Sequence, residues 1–344
     1  MSAIDAVDRF QRRHAVIGFP IAVLYKYFDD QGPYLGAIIT YYAFIAIFPL
    51  LLISSSVLGF FLQDDPELSN RLLNTALSQF PIVGDQLGRP EGLQGSTTAI
   101  IVGSVAALYG ALGLGQACQN AAHVAWSVPR NSRANPILMR LRSVLFLAIG
   151  GLGVLAVAVM TSVLANTEVF GSTFSHDVNR YIRLGGFVLS IGVFMCLFRL
   201  VSGSRATWLN VLPGSIATAA LWQGLQLAGQ TYVSRVINRA SEMNSTFALV
   251  LGLLAFVFLA AMMAVLGLEI NVVATRRLYP RALLTPFTDN VVLTDADQRA
   301  YASYAKSQRH KGFQSVTVRF DDQQGDEPAP PDADSDAGGR DASA

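Results

Sequence analysis

Residues 36–62 read GAIITYYAFIAIFPLLLISSSVLGFFL, 27 residues without a charge. A bilayer core about 30 Å thick is crossed by a helix of roughly 20 apolar residues. No water reaches the backbone there, so a helix that satisfies its own N–H and C=O groups is the economical way across. The stretch therefore predicts a membrane-spanning helix over about 35–62. Pro49 frees the carbonyl of Ile45 and predicts a kink, with Ser54, Ser55 and Ser56 placed to satisfy backbone groups beyond it. Tyr41 and Tyr42 lie about two turns inside the span, deeper than an interfacial aromatic belt. Their hydroxyls call for partners within a bundle.

The composition extends this reading to most of the chain. Of 344 residues 52% are hydrophobic and 14% charged, with a mean hydropathy of +0.40. A soluble domain carries about 25% charged residues. The net charge of +1 gives no global field for nucleic acid. Cys118 and Cys196 both fall in apolar runs and read as small packing residues, neither a disulfide nor a metal site. Residues 1–34 are mixed polar and basic, so no cleavable signal is expected, and the first apolar run reads as an uncleaved insertion signal.

Five further apolar runs follow, at about 97–126, 141–165, 182–202, 208–233 and 246–275. The fold class expected is therefore all-α: a polytopic bundle of six membrane helices over residues 35–280. Residues 1–34 form an interfacial or cytoplasmic amphipathic segment. Within 4–30 two helices are expected, broken at Pro20, with Val7, Phe10, His14 and Ile17 at helical spacing beside Arg9, Arg12 and Arg13. Such a helix lies on anionic headgroups or packs on the bundle. Residues 63–96 read as a polar loop with a short amphipathic segment over Leu68–Phe80. Residues 281–344 form a tail with a short helix near Asp295–Ser307. From about 321 it is acidic and rich in Pro and Ala, a composition expected to be disordered.

Orientation follows from the basic residues at the span ends. Arg9, Arg12, Arg13, Lys26, Arg130, Arg133, Arg140, Arg142, Arg199, Arg205, Arg276, Arg277 and Arg281 fall on one side. Arg71, Arg89, Arg180, Arg183, Arg235 and Arg239 fall on the other. Thirteen against six predicts a multi-pass protein of the cell (inner) membrane with both termini in the cytoplasm.

Four pieces in order resemble one family: Tyr41-Tyr42 followed by Phe48-Pro49-Leu50-Leu51-Leu52, then Leu108 to Trp126, then Pro213-Gly214-Ser215, then Leu266-Gly267-Leu268-Glu269-Ile270. Over roughly residues 20–280 the chain is similar to the YihY/BrkB/YhjD family of six-helix inner-membrane proteins, once labelled ribonuclease BN. Leu268 stands where that family usually has Ala, a change of packing that leaves the acid in place. The resemblance implies six spans with cytoplasmic termini. It also implies a role in envelope integrity or serum resistance and, for one branch, movement of a lipid-linked envelope precursor. It carries no catalytic residues.

Ionisable and amide side chains at membrane depth are the candidate functional residues. Glu269 lies seven residues before Arg276, about 10 Å up the helix, with Arg199 or Arg205 as its expected partner. The pair is either a structural tie between the fourth and sixth spans or a carboxylate linked to a proton or substrate. Gln223, Gln226 and Gln230 share one face of the fifth span. Gln116, Gln119, Asn120 and His123 share a face of the second. These stripes either hydrogen-bond other helices or line a polar cavity. Small residues every fourth position (Ala107, Ala111, Gly115; Ala220, Gly224, Ala228) predict that the second and fifth spans are central.

The four histidines, His14, His123, His176 and His310, lie in four different regions, and no paired-acid or metal motif occurs. A ribonuclease needs acid–base or metal carboxylates beside a basic groove, so an enzyme is not expected. No catalytic residues, cofactor, metal or nucleic-acid partner is expected either. The expected partners are membrane lipids, with a second copy of the chain as a candidate. Two functions remain open: handling or transport of a lipid or lipid-linked envelope component, and a non-transporting scaffold.

Overall fold

The structure is a computed structural model that describes residues 3–61, 97–165, 175–235, 242–283, 285 and 291–320. The expected loop over 63–96 and the tail from 321 lie outside the described residues. Every regular element described is helical. The helices are α1 (Ala3–Arg13), α2 (Ala15–Asp29), α3 (Gly32–Phe61), α4 (Thr97–Ala125), α5 (Pro136–Ala165), α6 (Ser175–Ser202), α7 (Trp208–Arg235), α8 (Glu242–Arg276) and α9 (Asp295–Ser307). The six apolar runs thus lie within six long helices, α3 to α8, although α5 begins five residues and α6 seven residues before the expected start. Among the described residues three segments are long and apolar enough to cross a membrane: Pro136–Val157, Leu184–Arg205 and Phe247–Arg276. Gly32–Ile47 is a shorter apolar stretch. α9 matches its expected range, and its start is a capping box in which Thr294 and Asp297 satisfy each other's backbone N–H.

Helices α3 to α8 pack in a closed circuit, each against the next, with α8 returning to α3. α8 also touches α2 and α4, and it is buried along much of its length at Leu253, Phe256, Ala261, Val265, Leu268, Val272 and Val273. α8 rather than α7 is therefore the hub, which corrects the expectation that the fifth span is central. α4 is central as expected. It contacts α3, α5, α6 and α8, and at Gly115 an added Cβ would sit 2.6 Å from Cα of Ser143 on α5.

The fifth span corrects a second expectation. Its close approach does not use Ala220, Gly224 and Ala228: Ala220 and Ala228 are exposed, and a Cβ at Gly224 would meet nothing within 4 Å. The inward face is Val211, Gly214, Ser215, Thr218, Ala219, Leu225 and Gly229. At Gly214 a Cβ would fall 2.0 Å from the carbonyl O of Gly267, and at Gly267 one would fall 2.0 Å from Oγ1 of Thr218. Backbones this close admit only glycine. Pro213-Gly214-Ser215 and Leu266-Gly267-Leu268, remote in sequence, are thus the two sides of one helix crossing. Asn271 completes it by accepting the Gly214 N–H at 2.7 Å.

The N-terminal pair breaks at His14, not at Pro20. His14 is extended (φ −117°, ψ 96°), and Pro20 lies inside α2. The break folds α1 back so that Gly18 packs on Gln11, where a Cβ would meet the Gln11 carbonyl at 3.1 Å. Gln11 is buried and donates to the backbone carbonyl of Arg281 (2.5 Å) and to the Asp8 carboxylate (3.1 Å). Val7 and Phe10 remain exposed on the other face.

Candidate functional site

α2 ends with YKYFDD (residues 25–30), and spacing alone puts Lys26 and Asp30 one turn apart. Gln31 then takes a left-handed conformation (φ 56°), which reverses the chain into α3 and holds Asp30 inward. α8 crosses α2 at Glu269. Lys26 Nζ lies 2.5 Å from Asp30 Oδ2 and 3.3 Å from Glu269 Oε2. The three residues are 1%, 6% and 0% exposed. One ammonium thus serves two carboxyl groups in a closed site. The carboxyl groups of Asp30 and Glu269 also lie within hydrogen-bonding reach of each other, and the buried hydroxyl of Tyr27, within electrostatic reach of Glu269, has no hydrogen-bonding partner among the described residues.

This corrects the expected partner of Glu269. Arg199 donates to the carbonyl of Gly203 in its own C-terminal turn. Arg205 donates to the carbonyl of Ser132 at 3.1 Å. Arg199 is held by the turn after α6 and Arg205 by the α4–α5 connection, whereas Lys26 is delivered on a helix packed along α8.

A second ion cluster joins the first through Asp29. Arg281 Nη1 pairs with Asp29 Oδ2 and its Nε with Asp297 Oδ1, each at 2.7 Å. Its guanidinium stacks on Tyr301 (5.2 Å) and Tyr25 (5.9 Å). Asp297 also accepts from the Ala282 N–H, and Tyr25 donates to the Leu283 carbonyl. Arg281 thereby clamps α2 to α9. Tyr304 of α9 lies with its ring 5.2 Å from Lys26 Nζ and covers the first cluster.

Outside the bundle the charges perturb one another as burial dictates. Burial raises Asp30 above the usual carboxylate range, although Lys26 pulls the other way. Tyr304 is raised by burial and then by Asp30, Asp29 and Glu269. Burial alone would lower Arg281, but Asp29 and Asp297 outweigh it and raise the guanidinium.

The polar stripes separate. On α4, Gln119 is buried and bridges to α5, donating to the Met139 carbonyl (2.9 Å) and Ser143 Oγ (3.0 Å). Asn120 accepts from Arg133 at 3.2 Å, His123 is 4% exposed, and Gln116 is half-buried. On α7, Gln223 and Gln230 are exposed and Gln226 is half-buried. Gln223 sits about 140° around the helix from the inward-facing Thr218, so this stripe does not meet Glu269. On α3, Tyr41 is 58% exposed. Tyr42 packs against Tyr109 at 6.2 Å and fills the space a Cβ at Gly113 would need. Among the candidates, then, only Glu269 enters the buried ion cluster. Lys26, Asp30 and Arg281 are the members that sequence reasoning missed. A Lys–Asp pair one turn apart in an otherwise apolar helix was the available signal for two of them.

A protein-family model described as "Virulence factor BrkB" matches residues 23–289. No curated protein and no solved structure matches the chain. The match begins inside α2 and ends beyond Arg281, so it takes in Lys26, Asp30, Glu269 and Arg281.

Proposed function

The chain belongs to the BrkB virulence-factor family, and from that premise we propose a multi-pass cell-membrane protein that moves or handles a lipid or lipid-linked envelope component. In this reading α3 to α8 are six spans and both termini are cytoplasmic. α1 lies in the interface, with Val7 and Phe10 toward lipid. It is a binding and translocation role with no catalytic step, and membrane lipids are the partners.

The observation that carries this reading is the unequal buried cluster of Lys26, Asp30 and Glu269. A purely structural tie needs one acid and one base, and even that costs about as much in desolvation as it returns. A second carboxyl group in the same closed site adds desolvation cost without a second cation to offset it. Of the three, Glu269 lies in a spanning helix, where an ionisable group is a candidate for proton or substrate movement. Protonation of one carboxyl balances the cluster, which suits coupling to a proton gradient.

The scaffold reading is favoured by a different observation, the Arg281 clamp. It interlocks the N- and C-terminal segments as a fixed unit, as a non-transporting protein would need. Reconstitution in liposomes with labelled envelope lipids separates the two. The transport reading expects lipid movement that Glu269→Gln abolishes, and no movement across the panel would leave the scaffold. Cysteine labelling at Ser69 and Ser303 should mark opposite faces of the membrane, and labelling on the same face would refute the six-span topology.

A further inference from the structure

A cluster of cations without an acid of its own stands at the junction of α4, α5 and α6, and Arg276, within electrostatic reach of both Arg205 and Asp30, lies between it and the Glu269 site. α4 ends in a Schellman turn: the Val128 N–H reaches the His123 carbonyl, the Ser127 N–H reaches that of Val124, and Ser127 takes φ 45°. This turn places His123 facing three arginines, Arg133 from the α4–α5 connection, Arg142 from α5 and Arg205 from the turn after α6. All three lie within electrostatic reach of the imidazole. The arginines are half-buried and His123 is 4% exposed. Among the described residues no carboxylate pairs with any of the three. Their contacts are neutral oxygens, Asn120 Oδ1 for Arg133 and the Ser132 carbonyl for Arg205.

Like charges gathered in a partly desolvated site repel, and a fold tolerates them where an anion completes the arrangement. Two cluster members carry unused polar atoms: His123 Nδ1 and Arg133 Nε are buried and have no hydrogen-bonding partner among the described residues. Guanidinium forks match the tetrahedral oxygens of phosphate. Basic pockets between membrane helices at the cytoplasmic face suit acidic headgroups.

We propose that His123, Arg133, Arg142 and Arg205 form a binding site for a phosphate group, with His123 at its floor. The phosphate comes from an acidic phospholipid headgroup or from free phosphate. The site stands whether or not the protein moves lipid, because binding is read without transport.

The test uses the purified full chain in neutral detergent and three probes: phosphatidic acid, phosphatidylcholine and inorganic phosphate. Retention is read by native mass spectrometry and by titrated thermal stabilisation. Phosphatidic acid is expected to bind and phosphatidylcholine not. Arg142→Gln should weaken binding about 5-fold and the Arg133→Gln/Arg142→Gln/Arg205→Gln variant about 100-fold. Arg140→Gln removes the same charge from an exposed position nearby and should leave binding unchanged. Binding of phosphatidic acid that millimolar phosphate does not displace assigns a membrane headgroup. Binding of phosphate alone assigns a free anion. If the triple variant loses its helical circular dichroism, Arg142→Gln against Arg140→Gln carries the comparison, since Arg142 holds no hydrogen bond seen in the described residues. Equal binding by wild type and Arg142→Gln, or equal losses for Arg140→Gln and Arg142→Gln, overturns the site.

Discussion

Replacing Lys26 by Met keeps most of the side-chain volume and removes the one cation between Asp30 and Glu269. At contact distances of 2.5 and 3.3 Å the gross attraction is about 5–7 kcal/mol per pair at an effective dielectric near 20. Desolvation of three charges offsets much of that. The measurable loss is the cost of leaving buried carboxylates unpaired, about 3–5 kcal/mol. The loss should depend on pH. Burial already raises Asp30 above its unfolded value, so protons bind the folded state more tightly than the unfolded one. Stability from that group is fully present below the unfolded pKa and is lost as pH rises through the folded one. Without Lys26 the folded pKa climbs further, so the variant should be weakest at neutral to alkaline pH and partly recover toward pH 5. Cys118 and Cys196 are free and half-buried, so the rate at which a thiol-reactive dye labels the detergent-solubilised protein on heating reports unfolding. The Lys26→Met/Glu269→Gln double variant should recover a large part of the loss. A loss under about 1 kcal/mol, or an equal loss in the Glu269→Gln background, would refute the coupling of these charges.

The remaining expectations are brief. Gly214→Ala and Gly267→Ala should each destabilise by about 1–3 kcal/mol by forcing α7 and α8 apart, while Gly224→Ala, with open space beside it, should be neutral or slightly stabilising; thermal midpoints compare the three. Asn271→Ala removes the side-chain acceptor that ties Gly214 to α8 and should cost about 0.5–1.5 kcal/mol in the same assay. Arg281→Met should release α9 from α2, seen as faster hydrogen exchange over residues 291–307 with the exchange of α8 unchanged.

The helices were legible because bilayer thickness makes long uncharged runs unambiguous, and α9 because Thr294 and Asp297 spell a cap. Membership of the family was legible too, and the crossing at Gly214 and Gly267 shows why two of its pieces belong together. The partner of Glu269 was not. Lys26 lies 243 positions away, and its charge reads naturally as one more basic residue flanking a span. Which side of α7 faces inward was also hidden: glutamines and small residues occupy one face, and Gly214, Ser215 and Thr218 another. Sequence periodicity identifies stripes but does not rank them. Pro20 misled for a related reason, because a proline early in a helix removes one bond without ending it. The turn at His14 is set by Gln11 and Gly18 meeting across the fold.

The most direct test of the central claim is transbilayer movement of headgroup-labelled envelope lipids in proteoliposomes with an imposed pH gradient, for wild type, Glu269→Gln and Lys26→Met/Glu269→Gln. The account predicts gradient-dependent movement in wild type, none in Glu269→Gln, and none in the double variant even though its fold is largely restored. Equal movement in wild type and Glu269→Gln, or none in wild type for any lipid tested, would contradict it.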